Sequence, residues 1–580
     1  MATLPTNDIK TKASIYQNYR GVDFYIETVQ TYRSPDSINM WKNYNSSTKG
    51  IETRPGMTKL ASLGLEVFGL FFYEINNITQ VLVHYGTKLA KWNNFPEEPS
   101  ENDLKEIYIG MNPKKSTAFI FNNILFIKDG INYIEYDGTN AKEVVGTIPV
   151  TTTLSSPKGG GERLNAYNMI QPKRTNEFIG DGKSTEFYLD AQDVDSTSVV
   201  ALVDGVTILE EVGFKFDRKE GKVTFNTPPL KQVDNGNNVS ITFSKTIAKE
   251  KDKIFKSTLS TIYDNRIFIS GNQDYPNALF WSELEDPRYF ASDNWTSEGS
   301  MSKVKALVNG YNELLVIKEP SQDGASIISH TPTLDYEAGK VYPAVESNIN
   351  TGCISKAINF RDDVVFLSNN GLEAVTGEIT QERLLTHRST MIDKKMLSNL
   401  NYEQAEMTEY QGYLLILIDS KIFLADSRMT FQDTNTEYEW FYWELPFNIT
   451  YMKENNNKLY LANKNGDIYL LSGVKDDTEN IYSKWATPKD SFGYEAYRKT
   501  TNKGGSILEV EPKNAVIKVE VRKDLEEPIE VGSFSDEKGY IVLKIKQKKW
   551  RQLQMIFSST NPFSITKATM EVFIGGYIKR

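Results

Sequence analysis

Apolar and polar positions along this chain fall into short β-type runs, broken by polar corners of two or three residues. The pattern appears at Gln80–Trp92, Thr117–Ile127 and Ser260–Ser270, and returns at Phe360–Ser368, Tyr410–Leu424 and Asn455–Leu471. Each copy is a β-branched or aromatic run, a corner rich in Asn, Asp or Gly, and a second run, which is the signature of a β-hairpin. Hairpins repeated in this way predict the blades of a β-propeller. Counting them gives about six or seven units. A propeller of that size has four-stranded blades, so some blades must be irregular or borrow strands.

Two stretches interrupt the beat. Ser155-Ser-Pro-Lys-Gly-Gly-Gly161 has the composition of a flexible linker. Beyond it, residues 165–246 change rhythm. Val223 and Phe225 alternate with Lys222 and Thr224, and Asp204-Gly205 and Glu220-Gly221 are hairpin corners. This predicts a small β-sandwich inserted between blades. The last 105 or so residues carry four further alternating strands and predict a second sandwich. The expected organisation is therefore all-β: an extended N-terminal arm over 1–60, propeller over 61–155, insert over 165–246, propeller over 250–475, and a C-terminal sandwich or platform over 476–580. A weak helical pattern spans Asp393–Tyr402. Trp440-Phe-Tyr-Trp443 is read as core at the start of the last blade.

Composition narrows the function classes. Aromatic residues make up 12% of the 580 positions, which favours strands over helices. The net charge of −10 has the wrong sign for a protein that grips nucleic acid over its whole surface. It suits a channel through which DNA slides without sticking. Cys353 is the single cysteine, so neither an intramolecular disulfide nor a cysteine-based metal site is expected. The N-terminus lacks the pattern of a signal peptide, and no apolar stretch reaches the ~18 residues of a membrane helix. The expectation is a chain made in the cytoplasm.

Candidate chemistry is sparse. His84, His330 and His387 lie far apart, without metal-ligand spacing, and none of the common nucleophile or phosphate-loop motifs occurs. Gly159-Gly-Gly161 neither follows a strand nor opens a helix. Glu283 with Glu285 and Asp286, and Asp362 with Asp363, are carboxylate pairs of the kind a glycosidase needs, but an acidic β-protein contains such pairs by chance. No enzyme activity, metal or cofactor is expected. Phosphate contact has one candidate, the run Lys544-Ile-Lys-Gln-Lys-Lys-Trp-Arg551. Its cations Lys544, Lys546, Lys548, Lys549 and Arg551 are interleaved with Ile545 and Trp550. The same pattern suits the solvated face of a half-buried strand.

Several stretches in order resemble the tail hub, or nozzle, proteins of short-tailed bacteriophages, also called packaged-DNA-stabilisation proteins. Thr53-Arg54-Pro55-Gly56-Met-Thr-Lys-Leu60, after an extended N-terminus, resembles their opening. Tyr263–Gly271, then Tyr275–Ser282 with Trp281, then Asp286-Pro287-Arg288-Tyr289-Phe290, resembles one of their blades, and Tyr311–Glu319 the next. The insert, through Thr185–Leu189, Asp204-Gly205 and Gly221–Phe225 before Pro228-Pro229, is similar to a small β-module recurrent in phage structural proteins. The resemblance covers residues 50–475 in patches. It implies a non-enzymatic virion protein in a ring, expected to be a hexamer, below the portal and adaptor. Such a ring would touch other tail proteins and conduct double-stranded DNA without reading sequence. Arg54, Pro55, Gly56, Trp281, Pro287 and Tyr289 are then interface or structural positions. The alternative is a propeller that binds a receptor or glycan on the tail, which would need exposed aromatics such as Trp92, Tyr289 and Trp295.

Overall fold

The computed structural model describes residues 10–25, 30–47, 50–75, 77–93, 95, 103–233, 236–335, 339–361, 363–375, 384–428, 438–502, 504–511, 515–535 and 539–577. The protein is all-β, a β-propeller with two added sandwiches. Its residues pack as two units, one of 68–93 and 104–353, the other of 1–67, 94–103 and 354–580.

The first unit holds four four-stranded antiparallel blades. Blade one runs through Val67–Ile75, Ile78–Tyr85, Lys88–Trp92 and Leu104–Ile109. Blade two uses Thr117–Phe121, Ile124–Lys128, Tyr133–Tyr136 and Ala141–Glu143. Blade three uses Leu259–Tyr263, Arg266–Ser270, Ala278–Trp281 and Trp295–Ser297. Blade four uses Val304–Gly310, Glu313–Lys318, Ile327–His330 and Ala344–Glu346. Between blades two and three sits the insert, a six-stranded sheet facing a three-stranded one. Phe178, Phe187, Phe214, Phe225, Ile241 and Phe243 form its core.

The second unit holds three more blades. Blade five is Ala357–Phe360, Asp363–Ser368, Gly371–Val375 and Leu385–His387. Blade six is Glu406–Tyr410, Tyr413–Ile418, Lys421–Asp426 and Glu439–Glu444. Blade seven takes Ile449–Asn455, Lys458–Asn463 and Asp467–Leu471, and its fourth strand is Met57–Ser62 from the start of the chain. The C-terminal sandwich also recruits early strands. Lys10–Tyr16 pairs antiparallel along Ser564–Tyr577, and Ile51–Thr53 pairs with the same strand.

The corners explain the beat in the sequence. The first two strands of a blade are joined by two residues at positive φ: Asn122-Asn123, Asp264-Asn265, Tyr311-Asn312, Gln411-Gly412 and Asn456-Asn457. That backbone matches the right-handed twist of the flanking strands, and Asn, Asp and Gly tolerate it best. Second strands such as Tyr413–Ile418 are buried at every position. They are covered on both faces and so read as unbroken apolar runs.

Several expectations are corrected. The stretch expected as an extended arm is woven into sheets, and Met57–Ser62 crosses the boundary set at residue 60. Ser155–Gly161 is a hairpin loop rather than a linker. It joins Val150–Ser155 to Glu162–Arg163 inside the insert sheet, and Gly159 donates its N–H to the Ser156 carbonyl at 2.8 Å. Trp440–Trp443 lies in the closing strand of blade six, not at the start of the last blade, and both tryptophans are buried. The helical pattern at Asp393–Tyr402 shortens to Asp393–Met396. A second short helix, Glu250–Phe255, gave no amphipathic signal over its six residues.

Candidate polyanion interface

The residues singled out by sequence fall into three places, and the structure does not bring them together into one pocket. Two are joints and the third is an exposed cationic strip.

The first joint is Arg54-Pro55-Gly56, leading into the strand that completes blade seven. Arg54 donates from Nη1 and Nη2 to Asp476 Oδ1 and Oδ2 at 2.8 and 2.6 Å. Its Nε donates to Asn39 Oδ1 at 3.0 Å, and further bonds reach the Pro55 and Glu444 carbonyls. Pro55 supplies a fixed φ and no N–H at the turn. Gly56 donates its N–H to the Gly473 carbonyl at 2.9 Å and accepts from the Ser472 N–H at 2.7 Å. A Cβ on Gly56 would lie 2.0 Å from the Lys475 carbonyl oxygen, so only glycine lets the two backbones approach this closely.

The second joint is the corner of blade three. Trp281 stacks edgewise on Tyr342, with ring centroids 5.7 Å apart, and lies 5.9 Å from the Phe268 ring. The Pro287 carbonyl accepts from the Tyr133 hydroxyl of blade two at 2.8 Å. The Tyr289 hydroxyl donates to the Ala166 carbonyl at 2.6 Å, which ties the corner to the insert segment that follows Glu162–Arg163. These residues are packing and hydrogen-bonding elements of the scaffold.

The third place is exposed. Lys544, Lys546, Lys548, Lys549 and Arg551 all face solvent, while Leu543, Ile545 and Trp550 are buried beneath them. Lys549 has φ 59, and this left-handed kink turns two consecutive lysines outward where a flat strand would bury one. Below them Lys499 is buried. Its ammonium donates to the carbonyls of Tyr494, Tyr497 and Arg551 at 2.6, 3.1 and 2.8 Å, and burial lowers its pKa. Nearby lysines on the same sandwich meet carboxylates, as Lys523 meets Glu526 and Lys567 meets Glu509. Among the described residues, none of the five strip cations forms an ion pair. Five unneutralised charges on one strip attract a polyanion, and the attraction falls with salt.

The remaining candidates are tied into the scaffold. His84 is fully buried with Nδ1 at 2.8 Å from Ser116 Oγ, and burial pulls its pKa down to about 4. His330 is buried beside Glu298 at 3.0 Å, where burial works to lower its pKa and Glu298 outweighs it, leaving the pKa raised. His387 lies between Asp393 and Glu373 at 2.7 and 3.0 Å. Glu283 accepts from Arg266 and Asn294, and Asp286 from Thr147. Glu285 contributes its N–H to the Asn265 carbonyl. Asp363 accepts from Arg388 and Tyr438, while Asp362 lies outside the described residues. Among the described residues no group of three or more His, Cys, Asp or Glu side chains is placed to hold a metal ion, and no helix is long and apolar enough to cross a membrane. A cavity of about 410 Å³ at the root of the insert is flanked by Lys251 and Glu143, which pair with each other at 2.5 Å. Sequence reasoning missed the buried pairs, Arg54–Asp476 and Arg33–Glu439, because partners more than 400 residues apart leave no local pattern.

No family model matches the chain, and no curated protein matches it in sequence. Among solved structures, it is similar to BamB from Moraxella catarrhalis at 11% identity and a TM-score of 0.31, over 71% of this chain and 97% of that one. It is similar to the computationally designed Ika8 protein at 12% identity and a TM-score of 0.30, over 72% of this chain and 99% of that one. It is also similar to Hsv2 from Kluyveromyces lactis at 10% identity and a TM-score of 0.24, over 65% of this chain and 97% of that one. Similarities this loose carry no argument about function.

Proposed function

We propose that this chain is a non-enzymatic virion protein, a tail hub or nozzle subunit of a short-tailed bacteriophage. It assembles as a ring, a hexamer, below the portal and adaptor, and it retains and conducts the packaged double-stranded DNA. The observation that supports this reading most is the role of the residues that carry the resemblance. Arg54, Gly56, Trp281 and Tyr289 act as joints of a stiff β-scaffold, which is what a load-carrying ring subunit requires of its most characteristic positions. The net charge of −10 suits a lumen that repels phosphate, and the Lys544–Arg551 strip gives that polyanion one local contact. Closed rotational symmetry would make the subunit contacts head-to-tail.

The receptor- or glycan-binding alternative has less support. Of its three aromatic candidates, Trp92 is 2% exposed and Tyr289 9%, and Trp295 alone is open at 46%.

Mass photometry of the purified chain, alone and with portal, tests the reading. A closed ring that docks on portal is the expected result. A monomer that binds host cells and never portal would overturn it. A cryo-EM map of the ring is expected to show an acidic lumen, and a lysine-lined channel would sink that part of the proposal.

A further inference from the structure

The corners of blades five and six bring two guanidinium groups over one backbone position. Arg361 takes the first corner position of blade five, with φ 58, and Gly412 takes the second corner position of blade six, with φ 77. A Cβ at Gly412 would lie 2.4 Å from Arg361 Nη2 and 3.2 Å from Arg428 Nη1. The missing side chain is what makes room for both cations.

Their surroundings are unequal. Arg428 is held in place. Its Nε donates to Asp426 Oδ1 at 2.8 Å, its Nη1 to the Gln411 carbonyl at 3.1 Å, and its carbon Cζ sits 3.6 Å from the centre of the Tyr44 ring. Its Nη2 is buried, and among the described residues it has no hydrogen-bond partner. Arg361 is exposed, and among the described residues it forms no ion pair. Asp426, the carboxylate that meets Arg428 among the described residues, already accepts from the Tyr44 hydroxyl at 2.6 Å and from the Arg428 N–H at 3.0 Å. Among the described residues, two like charges therefore meet with one saturated counter-ion. A buried guanidinium N–H without an acceptor is costly.

We propose that Arg361 and Arg428 form a phosphate-binding site over Gly412. A carboxylate has two oxygens, which a single guanidinium fork saturates. A phosphate has oxygens diverging in three dimensions and accepts from two forks approaching from different blades. Arg428 is the fixed half of the clamp. Arg361, exposed, swings off Gly412 to admit the anion and closes on it. The phosphate is either free or carried in a nucleic-acid backbone. The site lies on blades five and six, whereas the Lys544–Arg551 strip lies on the C-terminal sandwich. It does not depend on the ring reading, because ring formation and phosphate binding are measured separately.

The test is thermal unfolding of the full chain in sodium phosphate against sodium chloride of equal ionic strength. Phosphate is expected to raise the wild-type Tm by roughly 2 °C. Arg361→Gln is expected to abolish that rise and Arg361→Lys to keep part of it. Competition by a 12-nucleotide oligomer, reading displacement of phosphate, would assign the site to backbone phosphate, and failure to compete would assign it to free phosphate. No phosphate-dependent rise in the wild type, or an equal rise in Arg361→Gln, would overturn the proposal.

Discussion

Arg54 and Asp476 close on each other as a two-bond pair, at 2.8 and 2.6 Å, with side chains 1% and 6% exposed. The pair fastens the entry to the first strand of the propeller to the segment just after its last blade. Removing one partner strands a charge in a dry site, which costs about 3–5 kcal/mol. Arg54→Met is therefore expected to lower stability by about that amount in chemical denaturation. The double variant Arg54→Met, Asp476→Leu should recover most of it. A single variant as stable as wild type would show that water reaches the pair.

The same region holds a steric constraint. Gly56 faces the Lys475 carbonyl so closely that a methyl group would meet it at 2.0 Å. Gly56→Ala must push the two backbones apart, at a cost of about 1–3 kcal/mol for an overpacked site. The strand Met57–Ser62 pairs with Asp467–Leu471 immediately beyond, so its ladder should loosen first. Hydrogen exchange is expected to speed up in Met57–Ser62 and Asp467–Leu471, with blade two unchanged.

That joint also shows what the sequence makes legible. The hairpin beat is local: alternation, Asn-Asn or Asp-Asn corners and buried runs such as Tyr413–Ile418 are each set within about ten residues, so the blades can be read from the chain. The strand that completes blade seven is not local. Met57-Thr-Lys-Leu-Ala-Ser62 has no partner nearby in sequence, and it pairs with residues some 400 positions later. Likewise Lys10–Tyr16 looks like an unpaired arm until Ser564–Tyr577 is laid beside it. The cationic strip is legible as alternation of Lys544, Ile545 and Lys546. The Arg361–Arg428 pair is not, because two corners on different blades create it.

The histidines give opposite pH slopes. His387 is raised to about 10 by its hydrogen bonds to Asp393 and Glu373. Its folded pKa lies above the unfolded value of about 6.5, so its contribution is complete below that pH and is lost as pH rises towards 10. The side chain is 30% exposed, so solvent screens part of the effect. His84, pulled to about 4 by burial, works the other way: the unfolded chain takes up its proton first, and stability falls as pH drops from about 6.5 towards 4. Melting curves across pH 4–10 should show His387→Gln flattening only the alkaline slope. His84→Gln should flatten only the acid one.

The strip at Lys544–Arg551 makes the most direct statement about partners. If it touches phosphates, each lysine removed should reduce the slope of log affinity against log salt by about 0.9 for duplex DNA. The triple variant Lys544→Gln, Lys546→Gln, Lys548→Gln should therefore lose about 2.7 from that slope, measured by fluorescence anisotropy with a random-sequence duplex. All three side chains are exposed, and among the described residues none forms an ion pair, so the variant should keep the wild-type Tm. Binding should weaken equally for every duplex sequence, because contacts to the backbone carry no base readout. An unchanged salt slope would assign the strip to solvated sandwich surface and leave the polyanion contact to another part of the assembly.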